Sequence, residues 1–226
     1  MAHQESEPRP LTARGAATRA RILDVASDLI YTHGVDGTSL DDVMAASGVS
    51  KSQLYHYFAD KDALVLEVLA RQTKRVLDAQ QPHLGSLDSL PALMAWRDAI
   101  IRLNKAAGGR GCPLGSLANE LANESEPARK RLADSFGTWQ ERIASGLARM
   151  SQRGDLAASA DPSRLAFALL SAIEGGLLLA KTTHSNRPLE IALDMAIDHV
   201  KQHMSARPSQ QKQRIGPGAS QAKVTS

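Results

Sequence analysis

Apolar residues recur at three- and four-residue intervals along almost the whole chain, and no run alternates with the two-residue period of a half-buried strand. The pattern predicts a helix over Ala16–His33 with the stripe Ile22, Val25, Ala26, Leu29 and Ile30, closed by Gly34 in a left-handed conformation. Two short helices follow, Leu40–Ala46 and Lys51–Phe58, and a long one begins at the capping residue Asp60 and runs through Leu64, Val68 and Leu69 towards Leu77. Pro82–Ser89 breaks the periodicity. Beyond it the spacing predicts helices near Leu90–Ala107, Leu114–Asn123, Glu126–Arg153, Pro162–Lys181 and Leu189–Met204. Asp161-Pro162 supplies a cap followed by proline at the first helical position, and Gly154 stops the helix before it. The fold class is therefore all-α, with about nine helices. A flexible arm (1–15) precedes a small three-helix unit (16–62) and a larger bundle (63–205). Residues 206–226, rich in Pro, Gly, Ser, Gln and Lys, are expected to be a disordered basic tail.

Residues 38–64, TSLDDVMAASGVSKSQLYHYFADKDAL, carry the most specific signal. Thr38 or Ser39 can cap a helix whose apolar face is Leu40, Val43, Met44 and Ala46, the last small enough for a second helix to approach closely. Gly48 permits a tight turn, Val49 fills the space between the two helices, and Ser50 caps the second. That helix turns Leu54 and Phe58 inward, four residues apart on one face. Ser52 and His56 point the other way, with Gln53 and Tyr55 on the flanks. A short helix with an apolar back and a hydrogen-bonding front suits the DNA major groove, where base edges present donors and acceptors.

The run Thr38, Val43, Ala45-Ala46, Gly48-Val49-Ser50, Leu54-Tyr55, Tyr57-Phe58, Lys61 and Leu64 resembles the TetR family of bacterial transcriptional regulators. Ser52 stands where a small residue or glycine is frequent, and Tyr57 where histidine is common. The resemblance implies a helix-turn-helix that reads double-stranded DNA, with Lys51, Ser52 and Tyr55 reaching base edges or the adjacent sugar. Thr38, Ser39, Ser50, Gln53, His56, Tyr57 and Lys61 would then position the phosphate backbone, as hydroxyls and helix starts do well. Arg14, Arg19 and Arg21 are further candidates for backbone or minor-groove contacts. It also implies a homodimer on a palindromic operator, since one short helix covers only a few base pairs.

Charge changes this picture in one respect. The chain has 27 Lys plus Arg against 24 Asp plus Glu. Five of the basic residues (Lys201, Arg207, Lys212, Arg214, Lys223) lie within 201–226, which holds no acid. Residues 1–60 carry five basic and eight acidic side chains, so DNA binding there rests on local placement and not on bulk charge. The single cysteine, Cys112, excludes a disulfide framework and a multi-cysteine metal site. No cofactor or metal is expected, and without an HExxH, nucleophile-elbow or paired-cysteine pattern the chain does not read as an enzyme. The N-terminus is polar, and the most apolar stretch, Leu165–Ala180, is 16 residues long and interrupted by Glu174 and two glycines, so a cytoplasmic protein is expected.

In the TetR family the C-terminal helices bind a small effector and form the dimer. The stripes Trp96, Ile100, Leu103; Phe136, Trp139, Ile143; and Phe167, Leu170, Ile173 would form the core or line a cavity between helices. Cys112, Leu117, Leu121 and Glu174 complete the candidate effector site. The segment Gly108–Leu121, with Phe136, Trp139 and Glu174-Gly-Gly, resembles a branch that includes repressors of multidrug-efflux genes responding to aromatic compounds. Cys112 has two readings: a thiol sensor whose pKa Arg110 lowers, which would make the protein a redox-sensing repressor, or a small buried residue at a helix start. Gly175-Gly176 in mid-helix implies close helix–helix approach. Residues 162–181 and 189–204 would pair with the same helices of a second subunit.

Overall fold

The computed structural model describes residues 11–205; the arm before Leu11 and the tail from 206 onward lie outside them. Among the described residues nine α-helices follow in chain order: α1 (Ala13–His33), α2 (Leu40–Ser47), α3 (Lys51–Tyr57), α4 (Lys61–Ala79), α5 (Leu90–Ala106), α6 (Pro113–Leu121), α7 (Glu126–Gln152), α8 (Pro162–Thr183) and α9 (Arg187–Gln202). Among the described residues there is no strand, only an isolated bridge between Leu156 and Met204. The all-α expectation holds.

Punctuation explains most helix starts. Thr12, Ser39, Ser50, Asp60, Ser89, Ser125 and Asp161 each accept a hydrogen bond from a backbone N–H in the first turn that follows. Pro91, Pro113, Pro127, Pro162 and Pro188 stand in the first turns of α5 to α9, where a missing N–H costs nothing. The cap at Thr12 corrects the expected arm: Ala13–Gly15 already belong to α1. In the break, His83–Ser86 form a single 3-10 turn.

Two buried clusters divide the interior. The larger holds Trp96, Ile100, Trp139, Ile143, Leu170, Ile173, Leu193 and Val200, where α5, α7, α8 and α9 meet. The smaller lies behind α3. It contains Ile22, Leu23, Val43, Val49, Leu54, Phe58, Leu64 and Val68, and also Leu117 and Leu121 of α6 and Ala128 and Leu132 of α7. The N-terminal unit is thus closed by residues of the bundle, and α4 runs through both. Two readings of α1 and α2 change. Leu23 is buried where Val25 and Leu29 are only half-buried, and Ala46 is exposed while Ser47 is buried with its hydroxyl donating to the Val43 carbonyl. A helix of eight residues rotates its inner face by local fit, and periodicity cannot fix that to one residue.

The glycine pair in α8 behaves asymmetrically. A Cβ on Gly176 would lie 2.8 Å from Leu189 Cα, so this glycine lets α9 come close; nothing lies within 4 Å of one on Gly175. By length and composition α8 is apolar enough to cross a membrane. Its buried residues, Leu165, Leu169, Ile173 and Leu177 among them, pack against α7 and α9. Gly176→Ala is expected to destabilise the protein by about 1–3 kcal/mol through overpacking. Gly137→Ala, at an α7 position with nothing within 4 Å, should instead stabilise it by about 0.5–1 kcal/mol. Urea unfolding of the two variants checks the sign of each.

Candidate nucleic-acid interface and bundle cavities

The segment from α2 to α3 is fixed by two reciprocal caps and one turn. The Ser39 hydroxyl accepts from Asp42 N, while the Asp42 carboxylate accepts from Ser39 N; the hydroxyl's pull holds the Asp42 carboxyl below its usual range. Gly48 sits at φ 67°, left-handed backbone that glycine adopts without strain. Ser50 and Gln53 repeat the reciprocal cap at the start of α3. Leu54 is fully buried and Phe58 nearly so, which forces Lys51, Ser52, Gln53, Tyr55 and His56 outward. Tyr55 is 45% exposed, with the Lys51 ammonium 6.0 Å from its ring centroid. A flat aromatic next to a cation on an exposed helix can stack on sugar or base and meet phosphate.

In the bundle, two cavities adjoin along Gly111, Cys112 and Leu177. The larger, about 660 Å³, lies between α6 and α8 and is lined by Phe136, Phe167, Leu170, Glu174 and Lys181 among others. The smaller, about 250 Å³, is walled by Tyr31 of α1, Gln72 and Arg75 of α4, Ile100, Leu103 and Asn104 of α5, and Trp139 of α7. The glycine-rich loop before α6 ties both to the N-terminal unit. The Tyr31 hydroxyl donates to the Gly111 carbonyl at 3.2 Å, and the Arg110 guanidinium lies 4.1 Å above the Tyr31 ring. Val35 N donates to Glu120 Oε2 at 2.6 Å.

Glu174 is the electrostatic singularity. Burial pushes its carboxyl up to about 7, partly offset by the neighbouring Cys112 thiol, and its Oε1 has no hydrogen-bond partner. Gly115 makes room for it: a Cβ there would stand 2.5 Å from Glu174 Oε2. The same surroundings decide between the readings of Cys112. Burial and the Glu174 carboxyl push the thiol well above its ordinary value, and Arg110 is spent on Tyr31 and Thr32 instead. A buried thiol with a raised pKa is a weak nucleophile, so the surroundings of Cys112 give the redox-sensing reading no support and fit a small buried residue at a helix start.

Residues 22–68 match the family model described as bacterial regulatory proteins, tetR family, and residues 87–196 match tetracyclin repressor-like, C-terminal domain. An uncharacterised HTH-type transcriptional regulator in the lacX 3′ region of Lactococcus lactis subsp. lactis is 31% identical over 187 residues, covering 79% of this chain and 90% of that protein. The chain belongs to the TetR family. The HTH-type transcriptional repressor DhaR of Mycobacterium sp. (strain GP1) is 26% identical, over 80% of this chain and 90% of its own length. A TetR regulator from Chloroflexus aurantiacus shares the fold with a TM-score of 0.73 at 24% identity, covering 85% and 98% of the two chains. One from Cytophaga hutchinsonii does so at 0.74 and 18%, covering 88% and 100%. The protein is a TetR-type DNA-binding transcriptional regulator.

The candidate residues of this TetR regulator sort by place. Ser39, Ser50, Lys51, Ser52, Gln53, Tyr55 and His56 share the exposed side of α2–α3, with half-buried Lys61 opening α4. Thr38 does not join them: it is buried in the turn between α1 and α2, where its hydroxyl donates to the Gly34 carbonyl. Tyr57 is half-buried on the core behind α3, with its hydroxyl beside Gly15. Arg14 and Arg21 are exposed, but Arg19 pairs with Glu67 at 3.0 Å and covers the Phe58 ring. Of the cavity candidates, Cys112, Phe136, Phe167, Leu170 and Glu174 line the larger space, and Ile100, Leu103, Cys112 and Trp139 the smaller. Trp96 and Ile143 are sealed in the core instead, and Leu121, with Leu117, closes the N-terminal cluster. The sequence reading missed Tyr31, Gln72 and Asn104, which belong to helices assigned to other duties.

Because the carboxyl of Glu174 is raised in the fold, the native state holds its proton where the unfolded chain releases it. Stability tied to that proton is complete below the ordinary value of 4.5 and lost as pH rises through about 7. The thermal midpoint of Glu174→Gln, measured against wild type, should therefore climb between pH 4.5 and pH 8; a constant difference contradicts the buried carboxyl.

Proposed function

We propose that this TetR-family protein is a cytoplasmic homodimeric repressor, held on a palindromic operator until a small aromatic or hydrophobic effector fills the cavities beside Cys112. The observation that carries this reading is the shared core: Leu117 and Leu121 of α6 belong to the same buried cluster as Leu54 and Phe58, while neighbours on the same helix, Gly115 and Ser116, line the larger cavity. An occupant that favours a different seating of α6 shifts the population of head orientations by its differential affinity.

The apolar surface supports the dimer. Of the large exposed hydrophobic side chains, Phe167, Leu178 and Leu179 are on α8 and Ile191 and Met195 on α9, all about half exposed or more. Side chains of this size gathered on two adjacent helices mark an interaction surface. Two copies joined through 162–181 and 189–204 form a four-helix seam and present two α3 helices to successive major grooves.

Gel retardation with the DNA upstream of the protein's own gene tests the reading. Tyr55→Ala should weaken binding by about 10- to 100-fold and relax base preference, and Lys61→Ala should weaken it across sequences and lower the salt slope by about one. Unchanged retardation by both variants overturns the assignment of α3. Met195→Asp should convert the dimer to monomer in sedimentation and abolish operator binding; a dimeric variant places the seam elsewhere.

A further inference from the structure

Gln72 is the one polar side chain of α4 that is buried, at 5% exposed. It stands where α4 passes from the smaller buried cluster, at Leu69, to the larger, at Leu77. Its carboxamide makes no hydrogen bond among the described residues. The buried side-chain polar atoms there that are both unpartnered and sealed off are Trp139 Nε1 and Glu174 Oε1, and neither atom of the Gln72 amide is among them. Both amide atoms are therefore free and reachable, and the spaces that reach them are the cavities that Gln72 lines. A buried amide without a partner is destabilising, so its partner belongs to whatever fills the cavity.

The other polar side chains of the smaller cavity are engaged elsewhere. The Tyr31 hydroxyl donates to the Gly111 carbonyl, and Asn104 donates to Asn186 and accepts from Gly111 N. The Gln80 amide donates to the Val76 carbonyl and accepts from Trp96 Nε1. The Cys112 thiol is held by Glu174, and Trp139 offers ring carbon, since its Nε1 is sealed off. Arg75 is paired with Asp24 and Asp28, so it has no charge to spare for an anion. The remaining surface is apolar: Val76, Ile100, Leu103, Ile173 and Leu177 among others. An apolar cavity of roughly 150 Å³ holds benzene. This one, of about 250 Å³, therefore has room for a ring with a short substituent.

We infer that the smaller cavity is a binding site for a compact, neutral, single-ring carboxamide, whose carbonyl accepts from Gln72 Nε2 and whose N–H donates to Gln72 Oε1. A glutamine sets one donor and one acceptor side by side, and a carboxamide is the neutral group that matches both at once. This rests on the effector reading above and narrows it to one cavity and one ligand chemistry. The occupant holds α4 at the residue where the two buried clusters meet, so it acts on the helix that joins head to bundle.

Benzamide, ethylbenzene and benzoate are the probes, titrated into the full chain by calorimetry. Gln72→Met is the variant, since methionine keeps the length and the burial and removes the amide. Benzamide should bind the wild type and lose about tenfold or more in affinity in Gln72→Met, which should hold ethylbenzene at least as tightly as wild type does. Benzoate should bind the wild type more weakly than benzamide. No binding of benzamide to the wild type, or an equal loss of both neutral probes in the variant, overturns the inference, and tighter binding of benzoate overturns the neutral ligand. A benzamide affinity that Gln72→Met leaves unchanged overturns it too, and assigns the amide to water in the polar space of about 150 Å³ beside Glu120 and Lys181. Should Gln72→Met fail to fold, the side-chain amide protons of Gln72 decide in the wild-type protein. Their resonances should move with benzamide and not with ethylbenzene, and the same response to both is contradictory. Benzamide bound as described without release of operator DNA would leave this site standing and overturn the effector reading. Operator bound normally with no benzamide binding would overturn the site and leave the DNA-binding reading standing.

Discussion

Leu117, Leu121, Ala128 and Leu132 belong by sequence to the bundle and by packing to the head, where they share one buried cluster with Leu54 and Phe58. Everything else in the molecule answers to that cluster. Leu54 and Phe58 cannot turn inward unless something covers them, and the short α2–α3 pair is too small to do so alone. Residues of α1, α2 and α4 share that cluster with them, and α6 and α7 extend it on the side of α4, so the head and the helices that wall the cavities are parts of one core. Each fully buried Leu of this kind is worth about 1.5–3 kcal/mol, far more than any surface ion pair along the joint.

The glycine-rich loop makes a second contact between bundle and head. Positive φ at Gly108, Gly109 and Gly111 lets the chain fold back so that Arg110 reaches Tyr31 while Cys112 drops between the cavities. Gly115 then admits the Glu174 carboxyl against α6. Glu174 Oε1 and the Trp139 indole N–H are both buried without a hydrogen-bond partner. Buried polar groups without partners are destabilising.

Periodicity, capping and proline placement made the helices legible, since each is a local property: the caps at Ser39, Ser50, Asp60 and Asp161 follow from residue type and position alone. The front of α3 was legible for the same reason, because seven residues with Leu54 inside leave little choice for Lys51, Ser52, Tyr55 and His56. What stayed hidden depends on distant partners. Thr38 reads as a surface hydroxyl until Gly34 is seen to accept from it, and Ile143 reads like Phe136 until α5 and α8 enclose it. Nothing local marks Tyr31 as a cavity wall or Leu121 as part of the head.

The central claim is that head and bundle are one cooperative body, and backbone hydrogen exchange tests it most directly. In Leu121→Ala, which removes a bundle side chain distant in sequence from α3, the amides of Ile22, Val43 and Leu54 should lose protection together with those of α6 and α7. The loss should match the drop in global stability, about 2–5 kcal/mol for a leucine truncated in a core. Head amides that keep their wild-type exchange while only α6 and α7 loosen would contradict the shared core, and with it the route from cavity to DNA.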